Sequence, residues 1–246
     1  MAPFTIASQR PPPPTMTKSM QEFAAANKGF SLISNQKLLA LYTAMVECRR
    51  LGEQARRETR RAADSILGHE AAAVGAAIDL LAHDVVAPAL WPDATLQAIN
   101  PAPAIASTFP QALRHAAAAN GTRQIALLFS SERPAAQPAW LSAVTRAAQE
   151  NLPILFVFLN RPQASVEPAV GQAALIEREG HALPVIHVDG TDVVAVYRVA
   201  TEAITHARKG NGPTLIDCRL SEPADPIQNM QNYLVGKGLD PSAFDV

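Results

Sequence analysis

Four short apolar runs in the second half of the chain have the length of buried strands. They occupy residues 125–129, 154–159, 184–188 and 214–218. Stretches with helical spacing separate these runs, an alternation that is typical of parallel βαβ units. The pattern therefore predicts an α/β fold in which a parallel sheet is flanked by helices.

Apolar residues at three- and four-residue spacing predict a long helix over 36–61, with Ser34 as its N-cap. Further helices are expected at 68–81, 105–120 in part, 137–150, 169–180, 192–209 and 226–236. Asp192 is expected to cap the helix at 192–209, and the glycine- and proline-rich segment 210–213 to end it. Residues 91–110 carry several prolines and no clear period, so an irregular segment is predicted there.

The first 30 residues form a separate compositional region that contains four consecutive prolines, Pro11 to Pro14. Such a run favours extended polyproline II and blocks helix formation. Residues 1–30 are therefore predicted to be a disordered tail, and an arm that wraps a partner subunit is the alternative. Residues 31–246 are predicted to form a single α/β domain.

The overall composition narrows the classes of protein to which the chain can belong. Of its 246 residues, 48% are hydrophobic and 17% are charged, and the net charge is −1. This balance gives no basic field for nucleic acid, and the sequence has no apolar run long enough to span a membrane. The two cysteines do not suggest a disulfide framework, so a reducing, cytoplasmic setting is expected.

Several separated blocks of the sequence together resemble one enzyme family. The blocks are Gly68-His69-Glu70-Ala71, Leu152-Pro153-Ile154-Leu155, Val188-Asp189-Gly190-Thr191-Asp192-Val193, Gly212-Pro213-Thr214-Leu215-Ile216 and Asp225-Pro226-Ile227. In order and spacing they are similar to the α subunit of the E1 component of 2-oxoacid dehydrogenases of the pyruvate, branched-chain or acetoin type. This resemblance implies a thiamine-diphosphate-binding fold, a diphosphate held through Mg²⁺, and a homodimer or a heteromer with an E1 β-type subunit.

The resemblance also locates the cofactor motif, at the ends of the strands near 125 and 154. The family has Gly-Asp-Gly after the first strand, and a gapless count places Ser131, Glu132 and Arg133 there. The metal-binding asparagine after the second strand falls on Arg161, or on Asn160 if the alignment slips by one residue. The candidate cofactor-binding residues are therefore Ser131, Glu132, Arg133, Asn160 and Arg161.

These substitutions change the chemistry that the motif can support. Glu132 keeps a carboxylate and is the candidate metal ligand, whereas a cationic side chain at Arg161 repels Mg²⁺. Arg133 and Arg161 have the alternative of contacting a phosphate directly, without metal. The resemblance further implies that loops are shortened at 89–104 and at 221–224, where the family lines its cofactor channel and active-site mouth.

Three functional hypotheses follow. The first is a degenerate E1 α-like protein without decarboxylase activity, which acts as a structural or regulatory partner and has no catalytic residue of its own. The second is an active E1 α-type oxidoreductase component with a remodelled cofactor site and a β partner. The third is an α/β domain that binds a small molecule at the carboxyl ends of its strands.

The remaining residues with reactive side chains are expected to be structural. His69 and Glu70 lie at a helix start, where a glutamate interacts favourably with the helix dipole. His181 and His187 lack cysteines or paired acids at metal-ligand spacing and are interpreted as ordinary histidines. Cys48 and Cys218 lie in apolar surroundings and are expected to be unreactive core thiols. Ser130 and Ser131 lack the glycine context of a hydrolase nucleophile.

Overall fold

The computed structural model describes residues 33–59, 66–88, 93–106, 108–131, 138–160, 183–220 and 224–244. Its helices are α1 Asn35–Thr59, α2 Glu70–Ala77, α3 Asp93–Ile99, α4 Phe109–Ala119, α5 Pro138–Gln149, α6 Val193–Arg208 and α7 Pro226–Gly236. Its strands are β1 Val85–Pro88, β2 Ala104–Ile105, β3 Ala126–Ser131, β4 Ile154–Asn160, β5 Val185–Asp189 and β6 Thr214–Arg219. A short 3-10 helix, Pro241–Phe244, follows α7. The predicted tail at 1–30 and the predicted helix at 169–180 lie outside the described residues.

The strands form one six-stranded sheet in the order β2-β1-β3-β4-β6-β5. Every neighbouring pair is parallel. The central strands are buried along nearly their whole length, as expected for a parallel sheet covered on both faces. The predicted α/β fold with a parallel sheet flanked by helices is confirmed.

The prediction of an irregular segment over residues 91–110 is wrong. This segment contains α3 and the short edge strand β2, and α4 begins before it ends. The side-chain amide of Asn100, between α3 and β2, donates hydrogen bonds to the carbonyl oxygens of Ala77, Ile78 and Leu80 at 3.1, 3.1 and 2.8 Å. These long-range bonds satisfy the carbonyls after α2 and position the segment, and a periodicity test along the chain does not detect them.

The predicted second helix is shorter than expected, because α2 ends at Ala77 and turns replace the last residues before β1. All eight of its residues are buried. It packs closely on α6, where a Cβ added to Gly75 would lie 2.9 Å from the Val196 side chain and 3.0 Å from the Tyr197 amide nitrogen. A glycine at this position permits the close approach of the two helices.

The core on one face of the sheet is centred on Trp140. Its ring lies 5.3 Å from that of Phe109 and 5.2 Å from that of Phe156, the second contact being edge-to-face. Buried side chains of α4, α5, β3 and β4 surround these rings. No helix among the described residues is long and apolar enough to cross a membrane.

A buried ion pair joins several elements at the amino-terminal edge of the sheet. The carboxylate of Asp84, fully buried before β1, accepts bonds from Arg208 Nη2 at 2.6 Å and Nη1 at 3.1 Å. It also accepts from the amides of Leu81 at 2.7 Å and Ile125 at 3.0 Å. Arg208 in turn donates to the Arg123 carbonyl at 2.8 Å. The end of α6 is thereby fixed to the starts of β1 and β3.

The buried ion pair of Asp84 and Arg208 predicts a large loss of stability for Asp84→Asn. The neutral amide leaves Arg208 buried without a counter-charge, and removing one partner of a buried pair typically costs about 3–5 kcal/mol. Urea denaturation would measure the free energy of unfolding. The control is Asp79→Asn, because Asp79 pairs with Lys37 at 2.6 Å but is 40% exposed, and loss of an exposed pair costs less than about 1 kcal/mol. An asparagine at this position keeps an acceptor for the Tyr197 hydroxyl, which donates to Asp79 at 2.6 Å. Equal losses of unfolding free energy in the two variants would contradict a stabilising role for the buried Asp84–Arg208 pair.

Candidate functional site

The carboxyl ends of β3 and β4 bring two of the five predicted site residues to the same edge of the sheet. Ser131 is the last residue of β3 and lies opposite Leu159, so Asn160 follows one position further along β4. Neighbouring strands are about 4.8 Å apart, so Ser131 and Asn160 lie within a short distance of each other. Glu132, Arg133 and Arg161 lie outside the described residues.

Asn160 is held from both its backbone and its side chain. Its carbonyl oxygen accepts a hydrogen bond from the Leu220 amide at 2.9 Å. Its side-chain Nδ2 donates to Oδ1 of Asp217 at 3.3 Å. The amide group is therefore turned towards the neighbouring strand β6, and no hydrogen bond to Oδ1 of Asn160 is formed within the described residues.

Asp217 is a buried carboxylate in the middle of an apolar strand. Its side chain has no exposed surface, and its Oδ2 lies 2.8 Å from Nδ1 of His187 and 2.9 Å from Nε of Arg219. Together with Asn160, these contacts supply donors to both carboxylate oxygens. A buried carboxylate is tolerated when it is paired and hydrogen-bonded in this way.

The sequence interpretation did not identify the cluster of Asp217, His187, Arg219 and Asn160. His187 was expected to be an ordinary histidine because no acid lies near it in the sequence, but Asp217 is 30 positions away and on the adjacent strand. The pairing of β5 with β6 places the two residues directly opposite each other. The only signal in the sequence was an ionisable residue inside the apolar run 214–218.

These residues do not by themselves form a magnesium site. Mg²⁺ requires near-octahedral oxygen ligation that usually includes carboxylates. Ser131 and Asn160 offer neutral oxygens, and Asp217 is already engaged by three donors. Within the described residues, no group of three or more His, Cys, Asp or Glu side chains could hold a metal ion. Glu132 remains the predicted carboxylate ligand.

The loop that follows β5, at the carboxyl edge of the sheet, is stabilised by hydrogen bonds to two aspartates. Asp189 accepts bonds from the Thr191 amide at 2.9 Å and hydroxyl at 2.7 Å. Asp192 caps α6 by accepting from the amides of Val194 and Ala195 at 2.9 and 3.0 Å, as predicted. The block from Val188 to Val193 that carried the family resemblance therefore has a structural role in the turn from β5 to α6.

Two further groups match their structural interpretation. Glu70 is fully buried and accepts from Nε of Arg49 and from the Gly68 amide, both at 2.9 Å, while Arg49 Nη1 binds Asp225 at 2.7 Å. Cys48 and Cys218 are also fully buried. Burial raises the pKa of Cys48 to about 12 and raises that of Cys218 as well, so both remain protonated and unreactive near neutral pH.

Gly190 generates a prediction about the same loop. A Cβ at this position would lie 3.1 Å from Cys218 Cβ and 3.2 Å from its carbonyl carbon, and the β6 backbone cannot move aside easily. We expect Gly190→Ala to destabilise the protein by about 1–3 kcal/mol in chemical denaturation. Gly236→Ala is the matched control, because open space surrounds its Cβ position, and we expect it to be neutral or to stabilise by up to about 1 kcal/mol. An unchanged free energy of unfolding in Gly190→Ala would show that the close approach of Gly190 to the Cys218 backbone does not exclude a side chain.

The sequence matches one family of known proteins over more than half of its length. The model of the family described as "Dehydrogenase E1 component" matches residues 92–220, more than half of the chain. The α subunit of acetoin:2,6-dichlorophenolindophenol oxidoreductase from Cupriavidus necator is 33% identical over 114 residues, which cover 43% of this chain and 33% of that protein. The corresponding subunit from Bacillus subtilis is 34% identical over 101 residues, covering 39% and 30% of the two chains.

The pyruvate dehydrogenase E1 α subunit of Porphyra purpurea is 44% identical over 71 residues, which cover 27% of this chain and 20% of that protein. The chain thus spans a third or less of the length of these three relatives. Benzoylformate decarboxylase from Polynucleobacter necessarius, a solved structure, aligns over 64% of this chain and 34% of its own, with 11% identity and a TM-score of 0.45. The predicted resemblance to E1 α subunits is confirmed by the sequence matches, and the chain belongs to the dehydrogenase E1 component family.

Proposed function

We propose that this chain is a degenerate E1 α-like subunit that acts as a structural or regulatory partner and does not itself decarboxylate a 2-oxo acid. The observation that carries this proposal is the hydrogen bond between the side chains of Asn160 and Asp217. The asparagine next to the predicted metal position donates its amide to a carboxylate that His187 and Arg219 already neutralise. The polar groups at this edge are thus paired with one another.

The substitutions in the cofactor motif support the same proposal. The motif has Ser131-Glu132-Arg133 in place of Gly-Asp-Gly, and Arg161 follows Asn160. Two added guanidinium groups oppose the binding of a divalent cation. We infer that thiamine diphosphate and Mg²⁺ bind weakly or not at all, and that the α/β scaffold serves association with an E1 β-type subunit or with a second copy of the chain.

An active E1 α-type component with a remodelled site is the alternative. One observation favours it: Oδ1 of Asn160 accepts no hydrogen bond within the described residues, so a neutral oxygen is available as a ligand beside the predicted position of Glu132. In that arrangement Asn160 and Glu132 would hold the metal, or Arg133 and Arg161 would contact the diphosphate. A β partner would then be needed to complete the site.

Isothermal titration calorimetry with thiamine diphosphate, with and without Mg²⁺, separates these proposals. We expect no heat of binding up to about 1 mM cofactor, the range of very weak complexes. Micromolar binding that requires Mg²⁺ would contradict the degenerate-subunit proposal and support the ligand set of Asn160 and Glu132. Micromolar binding that ignores Mg²⁺ would also contradict it and support the arginine contacts.

A restored motif tests whether the substitutions alone abolish binding. The variant combines Ser131→Gly, Glu132→Asp, Arg133→Gly and Arg161→Asn, and Arg198→Asn, at an exposed position on α6, is the control for loss of a cation. We expect the restored motif to remain without magnesium-dependent binding, because the resemblance implies that residues 89–104 and 221–224 stand where the family has longer loops. Magnesium-dependent binding by this variant but not by the control would show that the four substitutions alone had removed the cofactor.

The proposed partnership has its own measurement. The purified chain is mixed with an E1 β-type subunit from the same genome, and light scattering after size exclusion gives the mass of the product. We expect a stable heteromer, or a homodimer if the chain assembles with itself. A monomer under both conditions, at micromolar concentration, would contradict the partner role.

A further inference from the structure

A second polar arrangement lies at the carboxyl ends of β5 and β6, on the far side of Asp217 from the predicted cofactor position. His187 and Arg219 both contact the same carboxylate oxygen of Asp217, at 2.8 and 2.9 Å. Asp217 is fully buried, whereas the side chains of His187 and Arg219 are 44% and 56% exposed. A buried carboxylate therefore positions two side chains that are each about half exposed.

The contact with Asp217 determines which nitrogen of His187 carries the proton. A carboxylate accepts hydrogen bonds, so the short distance from Asp217 Oδ2 to Nδ1 requires a proton on Nδ1. Nη2 of Arg219 also lies 3.1 Å from Nδ1, but both groups are then donors and this approach is a contact rather than a hydrogen bond. In the neutral ring Nε2 consequently carries a lone pair, and no described residue donates to it.

Arg219 supplies the complementary chemistry. Its Nε is engaged by Asp217, and Nη1 makes no hydrogen bond within the described residues. A guanidinium with free Nη donors is suited to bind a carboxylate. Its Nη2 lies 3.1 Å from Nδ1 of His187, so the guanidinium donors and the Nε2 acceptor belong to adjacent side chains.

We propose that His187 and Arg219 form a binding site for a small 2-hydroxycarboxylate. The carboxylate of the ligand binds the Arg219 guanidinium, and its 2-hydroxyl donates to Nε2 of His187. The two ligand groups sit on adjacent carbons, as the adjacent protein groups require. The site uses none of the residues assigned to the thiamine motif except through the Asn160–Asp217 bond, so it is independent of whether the chain binds that cofactor.

NMR titration of the wild-type protein tests the site directly. Glycolate and acetate form a matched pair of probes that differ by one hydroxyl group. We expect glycolate to shift the Nε2 resonance of His187 and to bind about fivefold more tightly than acetate, the effect of one ordinary hydrogen bond. The ¹⁵N shifts of the unliganded imidazole should already report a proton on Nδ1.

Variants assign the two contacts separately, with backbone amide resonances of β5 and β6 as the common readout. His187→Gln should abolish the preference for glycolate over acetate while acetate binding persists. Arg219→Gln should weaken both ligands strongly, and Arg219→Lys should restore part of the affinity, because it keeps the charge beside Asp217. The control Arg198→Gln should leave both affinities unchanged, since Arg198 is an exposed arginine on α6.

Three results would overturn the proposal. One is equal affinity of the wild-type protein for glycolate and acetate, which would remove the hydroxyl contact. Another is unchanged binding in Arg219→Gln, which would place the anion elsewhere. The third is an unliganded His187 imidazole that carries its proton on Nε2 and none on Nδ1. The first and third are measured on the unaltered protein, so they hold even if a variant beside the buried Asp217 fails to fold.

Discussion

A buried carboxylate must find donors for its oxygens, and this requirement organises both edges of the sheet. Asp84 at the amino edge is matched by Arg208 and by two backbone amides, while Asp217 at the carboxyl edge is matched by three side chains. An unmatched charge in either place would cost several kcal/mol. Because the donors come from distant parts of the chain, each carboxylate joins elements that are far apart in the sequence.

The two carboxylates differ in what surrounds them, and the difference bears on function. Arg208, the charged partner of Asp84, is only 16% exposed, so the amino-edge cluster is closed and serves stability. His187 and Arg219, the ionisable partners of Asp217, are about half exposed, and no described residue forms a hydrogen bond to Nε2 of His187 or from Nη1 of Arg219. Ligands of parallel α/β sheets bind at the carboxyl ends of the strands, and only the open cluster lies at that edge.

Much of the fold could be predicted from the sequence, because its determinants are local. The apolar run at 154–159 specifies a buried strand. Asp192 caps α6 by accepting from the amides two and three residues further along the chain. What escaped prediction depends on contacts between distant residues. Asn100 orders the segment around α3 through carbonyl groups more than 20 positions away, and no periodicity along the chain records that contact.

The candidate site shows the same division. That Ser131 and Asn160 lie at the ends of two strands followed from the resemblance and the apolar runs. The link from Asn160 to Asp217 did not, because it requires the order β4-β6-β5, in which the last strand along the chain inserts between two earlier ones. Only this insertion brings Asp217 beside both Asn160 and His187.

The strand insertion also explains how the proposed ligand site lies beside the predicted cofactor position. Asp217 has two oxygens: one receives the amide of Asn160, and the other receives His187 and Arg219. A metal at the predicted position would meet Oδ1 of Asn160, so the bond from Nδ2 to Asp217 is kept whether or not a metal binds. The orientation of His187 and Arg219 therefore depends on the buried charge of Asp217 and not on the cofactor motif.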